Sequence, residues 1–376
     1  MRLIIYVLPS SGMIENILMQ KFTVKAAIEK LKKIFMKLKY ISILVLMLLI
    51  TLACKKSDND TAPITPSTGF FARGADISWL TEMEASGIKF YNNAGTETEC
   101  MYLLKSLGMN STRLRVWVNP VGGWNNTADV VAKAIRAKNL GMKIMIDFHY
   151  SDSWADPGQQ TKPAAWVSQD VAALQTSVYD HTFGVMTALK TNGITPDWVQ
   201  VGNETNDGML WPEGKASTIM INYAKFFISG YNAVKAVSPA SKVMVHVSNG
   251  YDNALFRWNL DGLKANGATW DVIGMSLYPS STNWSTFNAQ CLTNMNDMVS
   301  RFGSEVMITE VGMNWGQETA CNAFITDLIS KVKSLSNQKG LGVFYWEPEA
   351  YNNWKGYQLG AFDNSGRPTV ALNAFN

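Results

Sequence analysis

From Phe70 onward the chain repeats one pattern: a short β-branched or aromatic run, a loop, then a helical stretch. The candidate strands are Phe71–Ile77, Thr112–Val118, Lys143–His149, Trp198–Gly202, Val243–Val247, Val272–Leu277, Val306–Thr309 and Val343–Trp346. Between them lie helical segments such as Glu97–Leu107, Ala128–Leu140, Ala172–Thr191, Thr218–Val237, Leu292–Phe302 and Ala323–Leu335. Several of these segments stop at glycine (Gly108, Gly141, Gly193, Gly303), the residue that most readily takes the left-handed conformation ending a helix. Strict alternation of strand and helix requires parallel pairing through right-handed crossovers. Eight such units predict an α/β fold, a (β/α)8 TIM barrel, as one domain over residues 69–376. A doubly wound sheet would carry a glycine-rich turn after its first strand, and Ala75-Asp76-Ile77-Ser78-Trp79 is not one.

The segment ahead of the barrel reads as an address. Met36-Lys37-Leu38-Lys39 is basic and Ile41–Leu52 is an apolar run of twelve residues. As a helix that run spans about 18 Å, short of the roughly 30 Å of a bilayer core, so it is a signal h-region rather than a membrane span. It ends Thr51-Leu52-Ala53-Cys54, which resembles a bacterial lipoprotein signal with Cys54 as the acylated residue, although Thr51 stands where Leu is usual. Residues 36–53 are therefore the expected signal peptide, and 1–35 an upstream extension from too early a start, with Met36 the expected first residue. Residues 54–68, rich in Ser, Thr, Pro and Asp, are the expected flexible tether. Ser57–Asp60 resembles surface-export signals of Bacteroidetes lipoproteins, which implies an exported outer-membrane lipoprotein exposed at the cell surface.

The formal charge of +3 misleads, because eight basic residues and two acidic ones fall within residues 1–53. From Cys54 onward 25 basic residues meet 28 acidic ones. The body lacks the basic footprint of a nucleic-acid partner. Contact with a membrane is expected only through the lipid anchor, and a monomer is the expected state. With Cys54 acylated, Cys100, Cys291 and Cys321 remain. Cys291 and Cys321 are expected to open helices after neighbouring strands, where they either pair in an oxidising compartment or stay as small buried thiols.

In a barrel of this kind chemistry occurs where the strands end. Those ends carry Asp76, Arg113 and Arg115, Asp147 and His149, Asn203 and Glu204, His246, Tyr278, Glu310, then Trp346 and Glu347. Strands four and seven face each other across the mouth, so Glu204 and Glu310 form a candidate pair of carboxyls flanking a scissile glycosidic bond. Arg113 beside Glu310 would hold it ionised as nucleophile, while the less compensated Glu204 would keep its proton for the leaving oxygen. Asn203 is placed to bond a sugar hydroxyl and Tyr278 to position Glu310. Three histidines, no Cys-x-x-Cys and no His-Glu-x-x-His argue against catalytic zinc, and no Gly-x-Ser-x-Gly elbow is present. A His149–Asp147 pair reads as structural rather than as a metal ligand. Trp117, Trp124, Trp154, Trp211, Trp284, Trp315, Trp346 and Trp354 fall at strand ends or in the loops after them. Such rings offer flat faces suited to sugars.

These motifs resemble the family 53 glycoside hydrolases, the endo-β-1,4-galactanases. The likeness rests on Arg113-Leu114-Arg115-Val116-Trp117-Val118-Asn119-Pro120 and on Ile146 to Pro157, with its His-Tyr-Ser-Asp-x-Trp-Ala-Asp-Pro run. Val201-Gly202-Asn203-Glu204, Leu210-Trp211-Pro212 and Phe344-Tyr345-Trp346-Glu347-Pro348 extend it. The resemblance implies retaining hydrolysis of β-1,4-galactan, with Glu204 as acid/base and Glu310 as nucleophile. It implies that Arg113 and Tyr278 contact the nucleophile, that Asn203 binds the −1 sugar and that Trp346 is its stacking platform. His149, Asp152, Trp154 and Trp211 fall in cleft-lining segments. No cofactor is expected, and the short Gly312–Thr319 loop argues against the calcium site that a longer loop provides in some bacterial relatives. Another β-glycanase acting on mannan, xylan or glucan, or a non-catalytic glycan-binding lipoprotein, are the alternative readings.

Overall fold

The computed structural model describes residues 69–376, together with Lys32. The expected signal, Cys54 and the tether lie outside the described residues. Thr68–Asn376 separates as one unit by its internal contacts. Eight strands pair in sequence order: β1 (Ala72–Asp76), β2 (Ser111–Val116), β3 (Lys143–Phe148), β4 (Trp198–Val201), β5 (Lys242–Val247), β6 (Val272–Leu277), β7 (Glu305–Val311) and β8 (Gly340–Trp346). Every neighbouring pair is parallel, and β8 closes on β1 with Gly74 beside Phe344 and Asp76 beside Trp346. The (β/α)8 barrel expected from the alternation is the architecture found.

The helices close around it by burying one face each. In Val171–Thr191 the buried residues Leu174, Val178, Thr182, Val185, Met186 and Leu189 recur at three- and four-residue spacing, and Asp170 caps the first turn by accepting the Ala173 N–H. Burying each such aliphatic side chain contributes about 1.5–3 kcal/mol. Gly303 ends the Trp284–Phe302 helix at φ 68°, as its sequence position predicts.

That helix begins earlier than expected, at Trp284 rather than Leu292. Asn288 hides the apolar periodicity of the first half, because it is a buried polar residue, as Asn294 is in the second. Asn288 donates to the Phe324 carbonyl and to Asp327, and Asn294 to the Gly250 carbonyl. Cys291 consequently sits inside a helix, fully buried, instead of opening one. Cys100, Cys291 and Cys321 are all free and buried, so the Cys291–Cys321 bridge does not form and the buried-thiol alternative holds.

The barrel interior changes character along its axis. Ala72, Met145, Trp198, Met244, Val272, Met307 and Phe344 form an apolar plug near the strand starts. Phe344 reaches the axis because β1 has Gly74 opposite it; a Cβ there would lie 2.2 Å from the ring. Two residues further along each strand, the same inward parity presents Asp147, Gln200 and His246, all wholly buried. The apolar plug thus supports a charged layer just beneath the mouth.

Candidate active site

The turns after the strands aim the functional groups. Gly202 follows β4 at φ 86°, where an added Cβ would stand 2.6 Å from the Thr205 methyl carbon. This conformation belongs to glycine, and it swings Asn203 and Glu204 into the mouth. Glu204 itself holds φ 42° and Glu347 φ 47°, left-handed values that non-glycine residues adopt at a cost. Both sit at strand ends, where the fold over-determines the backbone.

Arg113 organises the charged layer. Its guanidinium is 1% exposed and pairs with Asp76 at 2.6 Å, Glu310 at 2.8 Å and Asp147 at 2.9 Å. It also donates to Asn203 Oδ1 at 2.9 Å and to Gln200 Oε1 at 3.1 Å. Removing charges from water is costly without such partners. Three carboxylates share this one cation, so its effect on each is diluted. Burial alone would raise the Asp147 carboxyl, yet Arg113, and then His149, hold it below its ordinary value.

Glu310 receives a second hydrogen bond from the Tyr278 hydroxyl at 2.8 Å. Burial raises its carboxyl to about 7, against the lowering effect of Arg113 and Tyr278. Glu204 is raised further, to about 8, by burial first and then by the charge of Glu310. The ordering follows from the contacts. Glu310 has a guanidinium and a phenol at its oxygens, while Arg113 reaches Glu204 only through space. As pH rises the pair therefore loses its first proton from Glu310, leaving an anion facing an acid. One carboxylate with a protonated carboxyl facing it is the division of labour that glycoside hydrolysis requires.

An aromatic floor lies beside the pair. Trp346 packs against Trp79 at 5.3 Å, Trp154 at 5.8 Å and Tyr357 at 4.8 Å between ring centroids. Arg115 lies under this cluster, 4.3 Å from the Trp154 ring and 4.9 Å from that of Trp117. Its charge is balanced by Glu347 at 3.1 Å, whose carboxylate also accepts the Trp79 backbone N–H. The platform is thus braced from below.

The expected site residues divide into three groups. Arg113, Asn203, Glu204, Tyr278, Glu310, Trp154 and Trp346 gather at the mouth. Asn203 has its amide oxygen committed to Arg113 and one amide proton to the Ala155 carbonyl, leaving one N–H free to donate. His149 and Asp152 instead build the walls. The His149 ring joins Asp147 at 3.0 Å and accepts the Ala155 N–H, while Asp152 accepts the N–H groups of Asn119 and Ala164. Both oxygens of Asp152 and both nitrogens of His149 are thereby occupied by protein. Trp211 donates its indole N–H to the Asp207 carbonyl and packs under Lys215.

Gln200, Ser276, Trp79 and Tyr357 belong to the site and escaped sequence reasoning. Gln200 was discoverable, since inward parity runs from Trp198 to it, but a glutamine inside a strand carries no charge signal. Among the described residues no cluster of three His, Cys, Asp or Glu side chains suits a metal ion.

Glycosyl hydrolase family 53 matches residues 72–322 and 316–375. The chain is 35% identical over 303 residues to a probable arabinogalactan endo-β-1,4-galactanase A of Neosartorya fischeri, covering 75% of this chain and 85% of that relative. It is 32% identical to an arabinogalactan endo-β-1,4-galactanase of Thermothelomyces thermophilus, covering 81% of this chain and 98% of that one. Among solved structures it is similar to a fungal β-1,4-galactanase, with a TM-score of 0.75 and 33% identity over 82% of this chain and 99% of the other.

Proposed function

This chain belongs to glycosyl hydrolase family 53, and on that premise we propose that it is an endo-hydrolase of β-1,4-galactosidic linkages in galactan and arabinogalactan, working with retention. The observation that carries this reading is the Arg113–Glu310–Tyr278 contact set facing a Glu204 that holds its proton to higher pH. The galactanase relatives supply the sugar.

Glu310 attacks the anomeric carbon while Glu204 protonates the departing glycosidic oxygen. Arg113 and Tyr278 keep the attacking carboxylate ionised and aimed. As Glu310 becomes an ester its charge disappears, and the acidity of Glu204 increases with the loss of the neighbouring anion. Glu204 is then ready to take a proton from the incoming water, which releases the sugar and restores the enzyme. The free N–H of Asn203 bonds a hydroxyl of the −1 galactosyl unit, and its ring stacks on Trp346. Trp154 and Trp211 extend the apolar surface, and His149 and Asp152 hold the cleft walls. The chemistry calls for no cofactor. The N-terminal motif supports export as a Cys54-acylated outer-membrane lipoprotein acting on polysaccharide at the cell surface, and the single acidic domain supports a monomer.

Digestion of long β-1,4-galactan, mannan and xylan in parallel tests the activity. Rapid release of mixed galacto-oligosaccharides from galactan alone, with the β-anomer formed first by NMR, is the expected result. Preferential cleavage of mannan or xylan would assign a different glycan, and binding of galactan without new reducing ends would remove the enzyme reading. Loss of radiolabelled palmitate incorporation in Cys54→Ala tests the anchor.

A further inference from the structure

Gln160, in the loop after β3, is buried and reaches the turn that carries Glu204. Its Nε2 donates to the Asn203 carbonyl at 2.8 Å and to the Asp156 carbonyl at 3.2 Å. Both partners can only accept, which fixes the amide with its nitrogen toward them. Oε1 is buried and has no partner among the described residues, so the side chain bonds through Nε2 alone. The main chain around it is held as well. The Gln160 carbonyl accepts the Trp211 N–H at 2.7 Å, and Asp156 closes the preceding turn by accepting the N–H groups of Gly158 at 2.8 Å and Gln159 at 3.1 Å.

The Asn203 carbonyl belongs to the peptide that joins Asn203 to Glu204. The N–H of the same peptide donates to His246 Nδ1, on β5, at 3.2 Å. Gln200 Nε2 lies 2.9 Å and Asn203 Oδ1 3.1 Å from that nitrogen. The peptide N–H can only donate there, and Asn203 Oδ1 already accepts from Arg113 at 2.9 Å and Gln200 at 3.0 Å, so Nδ1 is the acceptor. A peptide unit is planar. Gripping its oxygen and its N–H together sets its tilt, and with it the left-handed φ of 42° at Glu204.

We propose that Gln160 is a positioning residue for Glu204: by holding the Asn203–Glu204 peptide from the β3 side it aims the Glu204 carboxyl at the glycosidic oxygen. The proposal rests on the reading of Glu204 as acid/base. The Asn203 side chain is anchored separately, through Arg113 and through its own amide, which donates to the Ala155 carbonyl at 2.8 Å. Loss of the Gln160 bond therefore releases the Glu204 side of the turn and leaves the Asn203 side chain in place. The damage falls on proton transfer rather than on sugar binding.

Gln160→Met keeps the length of the side chain and removes both N–H groups. Its kcat/KM on galactan is expected to fall about 10- to 100-fold. On an activated aryl β-galactobioside, whose leaving group departs without a proton, kcat/KM should stay within about threefold of the unaltered protein. Azide, which needs no base, should raise the kcat of the variant on the aryl substrate. Gln160→Asn, one methylene shorter and still polar, should give the same split if Gln160→Met fails to fold. Equal losses on both substrates, or galactan kcat/KM within about twofold of the unaltered protein, overturn the proposal. Glu204→Ala is the control. If it too loses kcat/KM equally on both substrates, the acid/base reading fails and the role of Gln160 fails with it. If it spares the aryl substrate and the Gln160 variants do not, the role of Gln160 alone is wrong.

Discussion

Arg113 Nη2 stands 2.8 Å from Glu310 Oε1, and the same guanidinium holds Asp76 at 2.6 Å. A single cation thus stabilises the anionic residue of the pair and the first strand's carboxylate together. Replacing Arg113 with methionine leaves three buried carboxyls without their counter-ion. The expected cost is about 3–5 kcal/mol of stability, measured by denaturant unfolding. Glu310 must be ionised to attack, and loss of Arg113 raises its carboxyl. Any remaining activity should therefore show its acid limb at higher pH than the unaltered protein; an unchanged limb would refute the assigned role.

The two glutamates should separate cleanly in kinetics. Glu310→Ala is expected to lower kcat on galactan by on the order of 10⁴–10⁶-fold. Glu204→Ala should lower it by about 10²–10⁴-fold. Azide should rescue Glu204→Ala through a β-configured galactosyl azide and Glu310→Ala through an α-configured one. Reversed configurations would exchange the two roles.

Both carboxyls lie above the ordinary value of 4.5, Glu310 at about 7 and Glu204 at about 8. The pH profile of kcat/KM should be bell-shaped. Activity falls on the acid side as Glu310 takes up its proton and on the basic side as Glu204 gives one up. An acid limb at the ordinary carboxylate value would mean that Arg113 and Tyr278 outweigh burial at Glu310.

Glu349 is wholly buried and neither carboxyl oxygen has a hydrogen-bonding partner. Burial, and then the charge of Glu347, raise its pKa well above the model-peptide range. The sign of the linkage follows. The folded state keeps this proton to a higher pH than the unfolded chain, so its contribution to stability is complete below the unfolded value and is lost as pH rises toward the folded one. Glu349→Gln, neutral at every pH, should raise Tm relative to the native residue at pH 8 and give no advantage at pH 4. A Tm difference independent of pH would show that the side chain is not titrating in the fold.

Gly202→Ala introduces a Cβ 2.6 Å from the Thr205 methyl carbon at a φ of 86°. A stability loss of about 1–2 kcal/mol is expected from the left-handed backbone alone. A larger proportional fall should appear in kcat, because the turn aims Asn203 and Glu204. An alanine variant with native kcat would show that this turn tolerates a Cβ.

Periodicity made the barrel legible. Val272–Leu277 was placed to the residue, and the other strands differ by up to three residues at an end, because β-branched runs and terminal glycines report local backbone preferences directly. The Trp284–Phe302 helix was half missed, since Asn288 in its first half looks like a surface residue until its partners across the fold are known. Glu204 and Glu310 stood out as candidates because charge at a strand end in a predominantly apolar strand is conspicuous. Gln200 had only its inward parity with Trp198 to mark it, and Ser276 had neither charge nor motif.

The order of strands and the placing of Glu204 and Glu310 at strand ends on the polar rim were therefore written in the local pattern of the chain. Folding alone decided that Asp76, Asp147 and Glu310 share one guanidinium, that His149 and Asp152 hold loops instead of facing the opening, and that Cys291 and Cys321 stay unpaired. The reason is one of range. Backbone periodicity is set by neighbours a few positions apart, whereas burial and Coulomb interactions depend on distances that exist only once the sheet has closed.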